Sequence, residues 1–323
     1  MVSRAWRQVF GEPAGPAPMS IGLMTPLVRT RGRMADLSAE LPLAALADRH
    51  GFAALWTRDV PLMIPQGAEG EAAALDDPFL WLAALAGAAP NVALGSAAIV
   101  LPLRHPLHVA KAALSLDRLS GGRLLLGLGS GDRLEEFAPF GLDPEGAGAR
   151  FREHWAVLRA ALSTSPQARA ALLEATGGYP LGLEPAADIP MIVVGTARQS
   201  LQWTATHADA WASYHREEAR QQGRLALWHS ALAERAPGSA KPFVQSLYLD
   251  LLADPDAPSE PLNLGMRSGR KALLAYLERI AAMGVGHTLV QLAQGARPME
   301  EVIAELGRDV LPHVARFAPR SSP

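Results

Sequence analysis

Gly95-Ser-Ala-Ala-Ile-Val-Leu-Pro-Leu-Arg-His-Pro106, followed by Leu116-Asp-Arg-Leu-Ser-Gly-Gly-Arg123 and Leu124-Leu-Leu-Gly-Leu-Gly-Ser-Gly131, is the stretch on which the fold turns. The apolar run over 92–101 predicts a strand, the Pro-bounded turn after it opens a helix, and the run over 123–128 predicts a second strand. Both runs are apolar at consecutive positions, as expected of strands covered on both faces. A strand, a helix and a second strand in that order make the repeating unit of a parallel sheet.

The same alternation extends in both directions. Strand-like runs fall at 20–25, 53–58, 92–101, 123–128, 190–195, 209–214, 242–252 and 287–292, each followed by helical or loop sequence. Eight such units predict an α/β protein, a (β/α)8 TIM barrel, as a single domain over 19–323 behind an N-terminal extension over 1–18. Ser38 is placed to cap a helix that carries Leu43, Leu46 and Ala47 and ends near Gly51. Leu273, Leu277 and Ile280 precede Gly284, and Val302, Ile303 and Leu306 precede Pro312, at helical spacing. Three Gly-, Pro- or Ala-rich stretches, 62–75, 163–189 and 254–268, read as excursions from the barrel, and the two that follow strand-like runs are expected at the C-terminal face of the strands, where such barrels keep their active sites.

Composition narrows the function. Apolar residues make up 49% of the 323, and 30 basic residues against 32 acidic ones give a charge of −2 without a basic stripe. These values predict a large core and no nucleic-acid partner. No cysteine is present, which excludes disulfides and thiolate chemistry and fits a cytoplasmic protein. No apolar run reaches the roughly 18 residues of a membrane span, and 1–18 lacks the pattern of a signal peptide. The nine histidines form no H-x-H or H-E-x-x-H pair, and no G-x-S-x-G elbow occurs, so neither a metal site nor a serine hydrolase is predicted.

Two Gly-containing loops follow strands. In Gly127-Leu-Gly-Ser-Gly131, with Asp132 and Glu135 spaced as a capping box, the glycines suit either a phosphate loop or a plain strand-to-helix turn. In Gly195-Thr-Ala-Arg-Gln-Ser200, hydroxyls, backbone amides and Arg198 suit phosphate, whereas the structural alternative has Thr196 capping the next helix. Arg58 and Asp59 end the second run, either as catalytic groups or as an ion pair. Tyr214 and His215 end the sixth run, lining a substrate pocket or capping the strand, and His105 reads as scaffold.

The block 95–123, with Phe137-Ala-Pro-Phe-Gly141, Gly51-Phe-Ala-Ala-Leu-Trp56, Pro190-Met-Ile-Val-Val-Gly195 and His207-Ala-Asp-Ala-Trp211, resembles the luciferase-like flavin monooxygenase family over about 19–312. The resemblance implies that reduced FMN, supplied by a separate flavin reductase, is used with O2 to oxygenate a small organic substrate. It implies flavin-phosphate contacts at Ser130, Gly131, Thr196, Ala197 and Ser200, although Ser130 stands where the luciferases carry arginine. It also turns Ala97 and Ala98, otherwise ordinary core alanines, into flavin contacts joined by a non-proline cis peptide. Val60 stands where the luciferases place a catalytic histidine, which leaves the general base unassigned. Relatives on the same barrel use coenzyme F420 for hydride transfer, and a non-catalytic flavin-binding partner subunit is the third reading. Family members often pair, and the alanine-rich segment 78–89 is the candidate surface for a homodimer.

Overall fold

The structure, a computed structural model, describes residues 2–12, 17–30, 33–64 and 75–318. Eight parallel strands close into a barrel: β1 Ser20–Met24, β2 Ala54–Thr57, β3 Ala93–Ser96, β4 Leu124–Gly129, β5 Met191–Val194, β6 Ala210–Tyr214, β7 Phe243–Leu251 and β8 Val285–Gln291. Each pairs with the next, and β8 closes on β1 through Ser20 opposite His287 and Leu23 opposite Val290. After β3 the chain resumes pairing with β4 at Ile99–Val100, Val100 lying opposite Gly129. The strand count read from the sequence matches, with each boundary moving by a residue or a few.

Two apolar cores result, because strand side chains alternate between the faces of the sheet. The larger lies between strands and helices, with Leu55, Leu94, Leu126, Val193 and Leu277 fully buried. The smaller fills the barrel interior with Ala54, Trp56, Ala93, Leu125, Ile192 and Val244. Its floor is helix Arg4–Phe10, which contributes Ala5, Val9 and Phe10. Within the interior, Ser20 Oγ donates to the Val9 carbonyl at 2.7 Å and lies 2.7 Å from His287 Nδ1, while Trp56 Nε1 donates to His287 Nε2 at 3.0 Å. With Nε2 accepting and Nδ1 donating, His287 is the neutral tautomer, and burial pushes its pKa down to about 3. Gly22 and Gly95 make this possible: a Cβ on Gly22 would sit 2.8 Å from Trp56 Nε1, and one on Gly95 would run into the indole ring.

The motif 116–123 proves to be scaffold. Gly121 ends helix Pro106–Ser120 in the left-handed conformation, and buried Arg123 donates to the carbonyls of Ala86, Ala89, Val92 and Ser120. Local caps differ from expectation in two places. Asp36, not Ser38, caps helix Leu37–Arg49, because its carboxylate accepts from both the Ser38 amide and the Ser38 hydroxyl. The capping box of Asp132 and Glu135 does not form, since the short 3-10 turn Leu134–Glu136 begins after Arg133 with no side-chain cap.

The excursions also divide. Residues 254–268 follow β7 at the C-terminal face and carry Glu260–Leu262 paired antiparallel to Gly265–Ser268, which extends the sheet beside β7. Residues 163–189 instead follow helix Ala147–Leu162 and precede β5, which places them at the opposite end, where Val2 bridges Asp188. Of the stretch 62–75, positions 65–74 lie outside the described residues, as do positions 1 and 13–16 of the extension. No helix is long and apolar enough to cross a membrane among the described residues.

Candidate functional site

The carboxyl ends of the strands surround a cavity that opens to solvent, with about 600 Å³ of empty space when its open mouth is included. Met24, Ala97, Val194, Ala212, Val244 and Leu289 form its apolar wall, and Arg58, Ser213, Tyr214, Ser246, Tyr248 and Gln291 its polar one. On β7 the alternation turns Val244, Ser246 and Tyr248 inward, while Gln245 points outward and donates to the Tyr276 hydroxyl at 2.7 Å. Ser246 and Tyr248 were missed in the sequence reading. The available signal was a pair of hydroxyl residues two apart in the middle of a strand, on the same face as Val244.

Arg58 and Asp59 point to different partners. Both Asp59 oxygens are engaged: Oδ2 accepts from the Val100 amide at 3.0 Å and Arg104 Nε at 2.8 Å, and Oδ1 accepts from Arg104 Nη2 at 2.8 Å. Arg104 also donates to Asp77, the cap of helix Pro78–Ala88. Burial works against the Arg104 charge, but the adjoining carboxylates outweigh it and raise its pKa above the usual guanidinium range. The ion pair at this turn is therefore Arg104 with Asp59, and an Arg58–Asp59 pair does not form. Arg58 lines the cavity, and its buried Nε has no hydrogen-bond partner. Val60 is buried.

The two glycine loops lie side by side because β4 pairs with β5, Leu128 opposite Val193. In the second loop Gly195, Ala197 and Arg198 have φ of 69°, 46° and 55°. Successive left-handed residues turn backbone amides into one concave surface suited to an anion. The Thr196 hydroxyl accepts from the Arg198 amide at 3.3 Å, whereas Ser200 caps helix Leu201–His207 by accepting from the Trp203 amide at 3.1 Å. The structural role imagined for Thr196 thus falls to Ser200. Arg198 donates to the Pro144 carbonyl and Gln199 to the Gly148 carbonyl, tying this loop to the helix after β4. In the first loop Ser130 is buried and Gly131 has φ 82°, with room for a Cβ removed by Val100 at 2.9 Å and Phe137 at 3.1 Å.

Ala97 and Ala98 are joined by a cis peptide. Ala97 faces the cavity, and the position of a Cβ on Gly129 is 3.4 Å from Ala98 Cβ, so only a glycine gap separates this turn from β4. Tyr214 lies in the cavity wall; burial, then the charge of Asp132, raises its pKa. His215 turns away, with Nδ1 2.9 Å from the Tyr276 hydroxyl on helix Arg270–Met283, and burial lowers its pKa. His105 caps helix Pro106–Ser120 through its ring, accepting from the Leu107 amide at 3.3 Å. Among the described residues no cluster of His, Asp and Glu is arranged to hold a metal ion.

A closed eight-stranded parallel barrel with its cavity and Gly loops at the carboxyl ends places the protein in the α/β-barrel class. Residues 19–257 match the luciferase-like monooxygenase model, and the chain belongs to that family. The oxygenase component of flavin-dependent trigonelline monooxygenase from Acinetobacter baylyi is 34% identical over 116 residues, which is 35% of this chain and 30% of that protein. An F420-dependent secondary alcohol dehydrogenase in complex with an F420–acetone adduct superposes with TM-score 0.72 at 15% identity, over 92% of this chain and 99% of that one. The oxygenating constituent of 3,6-diketocamphane monooxygenase of Pseudomonas putida, in complex with FMN, gives TM-score 0.69 at 15% identity, over 91% and 98% of the two chains.

Proposed function

We propose that the protein is an FMN-dependent oxidoreductase, the oxygenase part of a two-component monooxygenase that receives reduced FMN from a separate flavin reductase and oxygenates a small organic substrate. The observation that carries this reading is the pairing of β4 with β5, which sets the 130–131 and 195–200 loops on neighbouring strands, with Gly195 at the start of the second loop and Ala97 lining one cavity. The residues fit an anionic flavin: no carboxylate lines the cavity among the described residues, and the 195–200 loop, with Gly195, Ala197 and Arg198 at positive φ, offers backbone amides to a phosphate at its edge. When bound, the reduced flavin supplies the reaction with oxygen.

In this reading Ser130, Gly131, Thr196, Ala197 and Ser200 hold the phosphate, and Ala97 and Ala98 back the ring. Asp59 is a positioning residue: through the Val100 amide it fixes the segment that leaves Ala98. Tyr214 borders the substrate, and His215, turned to Tyr276, supports the strand end from behind. The apolar wall keeps water from the reacting centre. The family match and the flavin-dependent relative support the assignment; coenzyme F420 is the rival cofactor on this barrel.

Anaerobic titration of the purified protein with reduced FMN, oxidised FMN and F420, followed by tryptophan emission, tests it. The expected order has reduced FMN binding tightest. Preference for F420 would make the protein a hydride-transfer enzyme, and no binding of either would sink the enzyme assignment.

A further inference from the structure

Arg58 is the only charged side chain in the wall of the cavity among the described residues. It forms no ion pair with any of them, and its Nε is buried without a hydrogen-bond partner. The carboxylate beside it in sequence is committed elsewhere, because both oxygens of Asp59 are taken by Arg104 and the Val100 amide. A partly buried guanidinium with no counter-ion among the described residues is placed to take one from a ligand, and its planar fork matches a carboxylate. Ser246 Oγ, also buried and unpartnered, is a second donor in the same wall. Met24 and Leu289 supply an apolar surface in that wall.

We infer that Arg58 is a specificity-determining residue that binds the carboxylate of the substrate, so that the substrate class is an organic acid with an apolar body. Ser246 donates a second hydrogen bond to the same group, and the apolar body rests on Met24 and Leu289. The word substrate rests on the flavin reading; the anion site itself does not. The same chemistry is available from the electron-rich edge of a reduced flavin ring, and the experiment separates the two sources.

Wild type, Arg58→Met and Arg58→Lys are titrated with phenylacetate and decanoate and with the corresponding amides, with and without reduced FMN under anaerobic conditions. Circular dichroism confirms that each variant is folded. The inference expects the acids to bind at least tenfold more tightly than the amides, the preference to vanish in R58M and return in part in R58K, and reduced-FMN affinity to change less than twofold. Equal binding of acids and amides by the wild type, or an acid preference that survives R58M, would overturn it. Loss of reduced-FMN affinity in R58M with the acid-to-amide ratio unchanged would assign the guanidinium to the flavin instead. An Arg58-dependent acid preference in a protein that binds no FMN would uphold the anion site and defeat the flavin reading.

Discussion

At the residue scale the cavity rests on a few exact fits. Trp56 occupies the barrel interior only because positions 22 and 95 lack a Cβ, and its indole is held by His287. Gly95→Ala is expected to cost about 2 kcal/mol by overpacking, read as a lower urea midpoint with an unchanged slope. Asp59→Asn is expected to cost about 2 kcal/mol, because Arg104 loses the charge that compensates its partial burial, and a lower melting temperature reports it. Arg58→Met removes no ion pair or hydrogen bond to the described residues and is expected to leave the melting temperature unchanged or higher. Neighbouring residues in one motif thus carry opposite consequences. Sequence spacing put both at the barrel mouth; it held no sign that Arg104, 45 positions later, would claim Asp59.

At the element scale, strands and the glycine-terminated helices were legible because apolar periodicity and left-handed end residues are local signals. Gly51 and Gly284 follow the helices they were expected to end, with φ of 82° and 110°. What failed depended on choices between equivalent neighbours. Asp36 and Ser38 both suit a cap, and so do Thr196 and Ser200; three-dimensional hydrogen bonding decides. Helix Arg4–Phe10 was not foreseen as an element, because seven residues carry little periodicity and its partners are the interior side chains of distant strands. Truncating its anchor, Phe10→Ala, is expected to cost about 3 kcal/mol by opening a cavity at the barrel floor, measured by denaturant unfolding. A cost under about 0.5 kcal/mol would show that the helix is not part of the cooperative core.

At the scale of the whole molecule, the order of strands was readable and the lining of the cavity only partly so, since lining depends on which face of each strand turns inward. Closure of the barrel also buries His287, and this sets a pH dependence. In the folded chain its pKa is lowered to about 3, whereas the unfolded residue titrates near 6.5. Above about pH 6.5 both states are neutral and the residue contributes no pH dependence. As the pH falls below that value, the unfolded state takes up the proton first, so stability declines towards pH 3 by about 1.4 kcal/mol per unit from this residue. Burial lowers the pKa of His154, His215 and His229 as well, which adds to the same slope. Urea unfolding between pH 7 and pH 5 checks this, and His287→Gln is expected to flatten the slope. An unchanged slope in that variant would show that the buried histidine does not control it.

In the proposed reading one cavity holds FMN by the loops after β4 and β5, with its ring over Ala97 and Ala98. Diffraction from crystals grown anaerobically with reduced FMN locates both ends of the cofactor at once. The phosphate is predicted to lie between Ser130–Gly131 and Thr196–Ser200, with the ring against the Ala97–Ala98 turn and the Arg58 side free for substrate. A phosphate bound anywhere else, or a ring that does not touch that turn, would overturn this placement of the flavin.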